Sequence, residues 1–399
     1  FRSPKARFSL KERTIYCYET KFIEVADARI YPDSSKVIIR KKAKMDPFTN
    51  AEIVANFITK YHKMINVDAE IHARRSYNAS GDYTYTDFKD NKYLIHFDNI
   101  QLDTSYQTVA AGKVANDQGF KLSPQFDFYG DVKMKASDPL LNFNGATRIA
   151  HDCEKFEKNW MSFETSIDPE NIQIPVKENM KDLEGNSISA GILWRHSNNM
   201  DSINMYPTFL SQVVDDEDPV VITASGFLQY NESAKEFQIG SKEKLINRGA
   251  SGNYISLHTS SCSMNGDGRI NLGMDYGTME TEAVGVINYN QEKEETTLNI
   301  TLAIKAPFDQ KIFENVGEKI AEIEGLNDAD FSSTTLEQAI MEWVDLKTAD
   351  KIKSDYTLKK EFKRVPKEMQ ESIVLTGLRL TSYAKFGDQQ RGLKSSVDQ

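Results

Sequence analysis

The chain reads as a mainly β protein, a stack of short strands of the β-solenoid kind, and three observations predict it. Glycine sits ahead of or inside the strand-like runs throughout: Ala-Ser-Gly recurs at Ala79-Ser80-Gly81, Ala224-Ser225-Gly226 and Ala250-Ser251-Gly252, and further glycines fall at Gly112, Gly130, Gly145 and Gly285. The runs alternate apolar and polar residues with period two, the spacing of a strand with one buried face. Turn signals separate them, such as Tyr31-Pro32-Asp33-Ser34-Ser35, Asp46-Pro47 and Lys89-Asp90-Asn91.

Taken in order, residues 1–152 form a first β-repeat segment. Val37 and Ile39 alternate with Ile38 and Arg40; Ile53, Ala55 and Phe57 share one face, as do Tyr93, Ile95 and Phe97. Residues 153–221 break the rhythm with Asp168-Pro169, Ile174-Pro175, Tyr206-Pro207 and Asp218-Pro219, which predicts an irregular insertion or linker of strands and long loops. Regular β pattern returns over 222–308. Its cleanest strand places Leu298, Ile300, Leu302, Ile304, Ala306 and Phe308 on one face, opposite Asn299, Thr301, Ala303, Lys305 and Pro307. Residues 309–370 change period: Ile312, Val316, Ile320 and Ile323 have helical spacing. Thr335 to Gln338 reads as a capping box before Ile340, Trp343, Val344 and Leu346, and Pro366 reads as a helix start. A strand over Ile373–Leu380 opens the last segment, 371–399, so the helices are an excursion or cover within a β protein.

Composition bounds what the chain can do. A hydrophobic content of 39% with 10% aromatics suffices for a packed interior. A net charge of −10 gives no general attraction for phosphate backbones, which sets nucleic acid aside. No run approaches the ~20 apolar residues of a membrane-spanning helix. The opening Phe1-Arg2-Ser3-Pro4 reads as a piece of a longer chain, with any export signal upstream. Cys17, Cys153 and Cys262 are too few and too dispersed for a structural zinc site; the odd count leaves room for one bridge, and three small buried thiols are the reading adopted.

One segment resembles a known family. Val25-Ala26-Asp27-Ala28-Arg29-Ile30-Tyr31 leads to Lys36-Val37-Ile38-Ile39-Arg40, then to Ala51–Tyr61 and Ile65–Ile71, with a partial second copy from Phe97–Asp103 to Val109–Val114. Over about residues 14–150 this is similar to the OstA-type repeat of lipopolysaccharide-transport proteins. The resemblance implies an open β-jelly-roll, or β-taco, in the cell envelope of a Gram-negative bacterium, in the periplasm or at the outer membrane. The fold expected is therefore a β-solenoid or an open β-jelly-roll with an irregular middle and a small helical excursion. The function expected is a non-enzymatic scaffold that binds or bridges lipid, glycan or a neighbouring β-protein, including service in outer-membrane biogenesis or transport. A β-helical carbohydrate-active lyase or hydrolase and a surface protein-interaction module are the alternatives.

Candidate side chains follow from strand alternation. With Val132, Met134 and Ile149 inward, Lys133, Lys135 and Arg148 form an outward basic strip for an anion or glycan, and inward Val132, Met134 and Phe143 could meet an acyl chain. Asp215, Asp216 and Asp218, with Glu217, gather carboxylates that would attract a divalent cation if the loop folded back on itself. Ser263–Ile270 matches only the middle of a calcium loop, since Ser263 and Met274 stand where its strongest ligands belong. The histidines His62, His72, His96, His151, His196 and His258 lack metal spacing. His151-Asp152-Cys153-Glu154 is the one local nucleophile-and-base candidate, read as a chance turn. No phosphate loop or dinucleotide fingerprint is present, and no cofactor is expected.

Overall fold

A computed structural model describes residues 2–195, 205–273, 277–307, 309–324, 331, 334–370, 372–383 and 394–397. His196, Met274 and Phe308 lie outside the described residues. The fold is mainly β, with curled antiparallel sheets and few helices. Strand neighbours pair antiparallel, so of the two β architectures expected the open curled sheet is the one adopted. The chain divides into two compact units, residues 1–150 with 160–173, and residues 151–159 with 174–399.

In the first unit, β1 (Lys5–Ser9) and β2 (Thr14–Tyr18) form a hairpin. After β3 (Ile23–Val25) and β4 (Ala28–Tyr31), β5 (Val37–Ile39) returns to pair with β2. A long meander follows: β6 (Phe48–Ala55), β7 (His62–Ala73), β8 (Ser76–Thr86), β9 (Lys92–Leu102) and β10 (Thr108–Val114). It continues through β11 (Lys121–Ser123), β12 (Phe126–Lys135), β13 (Leu141–Ile149) and β14 (Met161–Ile167). Among the described residues these strands, with β3 and β4, make one eleven-stranded sheet.

Alternation sends Met64, Tyr85, Phe97, Val132 and Phe143 inward, where Phe128 meets Phe143 edge-on at 5.0 Å between ring centres and Tyr85 meets Phe120 at 5.3 Å. The sheet curls until distant segments meet. The carboxylate of Asp27 accepts from the backbone N–H of Thr108 at 3.0 Å and from its hydroxyl at 2.6 Å. The buried ring of His62 contacts the Asp138 carbonyl through Nε2 at 2.6 Å.

The glycines have a cause in this curl. Gly130 and Gly145 face each other across β12 and β13, and a Cβ on Gly145 would lie 2.2 Å from the Tyr129 carbonyl oxygen. Gly130 also has φ +143°, which side chains rarely adopt. Gly81, Gly112, Gly130, Gly145 and Gly285 thus lie within strands, where a neighbouring strand approaches too closely for a side chain, whereas Gly252 sits in a bend with open space around it and a φ of +106°.

In the second unit, the stretch read as irregular holds β15 (Ile174–Val176), β16 (Met180–Lys181), β17 (Ser187–Trp194), β18 (Met205–Gln212) and β19 (Val220–Thr223). The strands from β16 to β19 form a small sheet of their own. β20 (Gly226–Asn231) and β21 (Glu236–Gly240) lead to the short helix α1 (Lys242–Ile246), then β22 (Tyr254–His258), β23 (Met264–Ile270), β24 (Glu280–Asn290) and β25 (Glu295–Lys305). Helices α2 (Gln310–Ala321), α3 (Thr334–Trp343) and α4 (Leu346–Lys359) interrupt before β26 (Ser372–Tyr383) pairs with β25 and β27 (Lys394–Val397) pairs with β26.

The helical period and the returning strand are thus found where the sequence places them, with two corrections. Pro366 precedes only a 3-10 turn, Lys367–Met369. Thr335 lies inside the first turn of α3 instead of capping it: its hydroxyl oxygen accepts from the Thr301 hydroxyl at 3.1 Å and from the Gly377 N–H at 3.3 Å, so it serves the helix–sheet contact. That contact also changes the reading of β25. Leu336, Ala339, Ile340 and Trp343 of α3, with Ala349 and Ile352 of α4, cover Val284 and Ala303, so Thr301 and Ala303 are buried along with Ile300.

Ile300 is 0% exposed, so Ile300→Asp places an unpaired charge in the core and is expected to cost several kcal/mol, on the order of the upper range for point substitutions. Asn299→Ser, on the exposed next residue, is expected to leave stability nearly unchanged. Thermal unfolding of the two variants checks the assignment, which fails if they melt together.

Candidate functional site

The outward face of the first sheet presents the clearest site geometry. Register sets Gln101, Val109 and Lys135 in one cross-strand row and Asn99, Ala111, Lys133 and Asn142 in the next. Cross-strand partners stand about 5 Å apart, and these two rows line a depression of about 320 Å³. Small Ala111 lowers its floor, amides flank it, and Lys133 and Lys135 are exposed at one side without an ion pair among the described residues. A neighbouring depression shares Asn99 and Gln101 and adds Asp68, Glu70, Asn78, Ser80 and Asp98. The face is therefore a polar furrow with Lys133 and Lys135 beside Asp138 at one end and most of its carboxylates at the other.

The sequence-derived ligand residues divide between this face and the core. Lys133 and Lys135 point outward, as alternation predicts. Arg148 does not join them: its guanidinium bonds Asp127 at 2.7 Å and stacks 4.5 Å over the Trp160 ring, which takes it out of the strip. Burial pushes the Asp127 carboxyl up, but Lys121 and Arg148 outweigh that and hold it below the usual carboxylate range. Val132 and Phe143 are 0% exposed and Met134 is buried, so these three are core side chains packed among the aromatics.

The acidic run does not converge. Asp218 turns inward, accepting from the Tyr206 hydroxyl at 2.6 Å and from the Asp215 N–H at 3.1 Å, while Asp215 and Asp216 stay exposed. Asp215 Oδ1 accepts from the Glu217 N–H at 2.9 Å. Among the described residues no group of three or more His, Cys, Asp or Glu side chains is placed to hold a metal ion. The calcium-loop fragment is strand β23, with Asp267 bonded to Lys244 and Arg248.

Cys153 is half of a disulfide with Cys262, 109 residues away, which corrects the reading of three thiols; Cys17 alone is free, and it is buried. His151 accepts from the Cys153 N–H at 3.2 Å, so the local nucleophile candidate is an oxidised, structural turn. His258 contacts the hydroxyls of Ser260 and Ser261, but among the described residues no carboxylate orients it. Sequence reasoning missed a further cluster beside α3: Lys244 bonds Asp267 and the Ala250 carbonyl, each at 2.7 Å, and Glu342 accepts from the Gly252 N–H at 2.7 Å. Its members come from a short helix, a strand and a later helix, so no local spacing announces them. The guanidinium of Arg269 donates to the Glu342 carbonyl at 2.7 Å, so this group works as a latch between α3 and the sheet loops.

Compared with protein-family models, curated proteins and solved structures, the chain matches none.

Burial, reinforced by the nearby Lys158, pushes the His151 imidazole down to about 4. In the unfolded chain it takes a proton near pH 6.5, so its neutral burial supports the fold above that value and this support is lost as pH falls from about 6.5 toward 4. His151→Gln is expected to flatten this part of the stability–pH curve, measured by urea unfolding at stepped pH. An unchanged slope would show that His151 titrates normally.

Proposed function

We propose that the chain is an envelope-associated, non-enzymatic β-scaffold that holds an acidic, hydroxyl-rich glycan on the outward furrow of its first unit. The observation that carries this reading is the furrow itself: amides of Asn99, Gln101 and Asn142 suited to sugar hydroxyls, ammonium groups of Lys133 and Lys135 suited to sugar acids, and a floor opened by Ala111. The strand rhythm similar to OstA-type repeats agrees with an envelope setting. Lipid transport through the interior is less favoured, because an acyl chain would have to displace the packed rings of Tyr85, Phe128 and Phe143. A glycan lyase or hydrolase would need an acid and a base free to act at the furrow, whereas the one carboxylate beside Lys133 and Lys135, Asp138, is engaged by the Leu140 N–H at 3.0 Å and the other carboxylates lie in the neighbouring depression.

Titration calorimetry with polygalacturonate tests the proposal. The wild-type chain is expected to bind, and Lys133→Glu with Lys135→Glu to weaken binding at least tenfold with an unchanged melting temperature. Absence of wild-type binding, equal binding by the double variant, or release of new reducing ends or unsaturated sugars by the protein would overturn it.

A further inference from the structure

The β1–β2 hairpin carries a combination of surfaces that the furrow does not use. Leu10 in its turn is 82% exposed and Phe8 on β1 is 58% exposed, directly across from the exposed Ile15. Lys5, Arg7, Lys11 and Arg13 surround these apolar groups, and none forms an ion pair among the described residues. The one acid in the turn, Glu12, is occupied by the Tyr16 hydroxyl at 2.7 Å. Lys41 and Lys42, exposed just after β5, add to the excess. Residues 1–44 contain 12 Lys and Arg against 5 Asp and Glu, in a chain whose net charge is −10. Basic charge is thus concentrated at the end of the chain that also exposes its apolar hairpin.

We propose that this hairpin is a membrane-surface contact that inserts Leu10 and Phe8 at the headgroup–acyl boundary of an anionic bilayer while Lys5, Arg7, Lys11 and Arg13 bind lipid phosphates. Charge complementarity selects an anionic surface, and the geometry selects a bilayer over a protein. The apolar residues protrude from a convex turn, where a protein partner would have to supply a matching pocket, whereas a lipid interface accepts apolar tips flanked by cations without one. Such a contact needs no spanning helix, and none of the described helices is long and apolar enough to cross a membrane. It stands independently of the glycan furrow.

Cosedimentation of the intact chain with phosphatidylcholine vesicles, with and without one quarter phosphatidylglycerol, tests the contact. Partitioning is expected to be at least tenfold stronger with phosphatidylglycerol and to weaken with added salt. Phe8→Ser with Leu10→Ser, and separately Lys11→Glu with Arg13→Glu, are expected to reduce it at least tenfold with unchanged circular-dichroism melting. Lys133→Glu with Lys135→Glu is expected to bind vesicles as the wild type does, which separates this proposal from the glycan reading. No preference for phosphatidylglycerol, hairpin variants that bind as the wild type, or engagement of the hairpin by an acidic soluble protein in the absence of vesicle binding would overturn it.

Discussion

Close approach of neighbouring backbones is the constraint on which the first unit depends. An eleven-stranded sheet left flat would expose an apolar face too large for water to tolerate, and it must curl to bury that face against itself. Where β12 crosses β13 the curl leaves no room for a Cβ, and Gly130 and Gly145 answer that demand. A close approach also recurs in the second unit, where a Cβ on Gly285 of β24 would lie 2.2 Å from the Asn299 carbonyl oxygen of β25. Once curled, the first sheet is fastened by polar contacts between segments far apart in sequence. Asp27 to Thr108 and His62 to Asp138 are two of these, each satisfying a polar group that curling withdraws from water.

The second unit solves the exposed face differently, by laying helices on it. The apolar stripe of α3 covers Val284 and Ala303, and the end of the helix is held through Glu342 by Gly252 and Arg269. Lys244 and Asp267 are nearly buried beside it, Asp267 shared with Arg248 and Lys244 standing 3.7 Å from Glu342, so a charge network links the short helix, the sheet and α3. The disulfide has a related effect on the chain path. It ties residues 151–159, whose neighbours on both sides belong to the first unit, to the β22–β23 connection of the second. Closing a loop of this length restricts the unfolded chain most strongly of all the links described.

Legibility followed the range of the interaction. Period-two runs gave the inward faces of β9, β12 and β13 because alternation is local, and the change to helical spacing after residue 309 was readable for the same reason. In β9 and β10 the strict alternation fails where register shifts, so that Phe97 and Ile100 both point inward. Thr335 reads as a cap because sequence alone cannot show that Thr301 and Gly377 will claim its hydroxyl. Arg148 reads as a ligand group because nothing local reveals Asp127 and Trp160 beside it. Lys133 and Lys135 were legible as outward groups; the amides that make a furrow around them were not, since Asn99, Gln101 and Asn142 meet them only through the register of four strands.

A filled interior limits where a guest could be held. A curled sheet can carry a guest inside only if its inward side chains leave space, and here Tyr85, Phe120, Phe128, Phe143 and Phe163 occupy it in edge-to-face and tilted contacts. Exchanging those contacts for contacts with an acyl chain gains little, because both are apolar, while opening the sheet would break the hydrogen bonds that fasten it. Outward side chains carry no such cost, since turning them toward a ligand disturbs no core. The glycan proposal therefore places its contacts on the solvent side of the strands, in residues such as Lys133 and Gln101 that the core constrains only in direction.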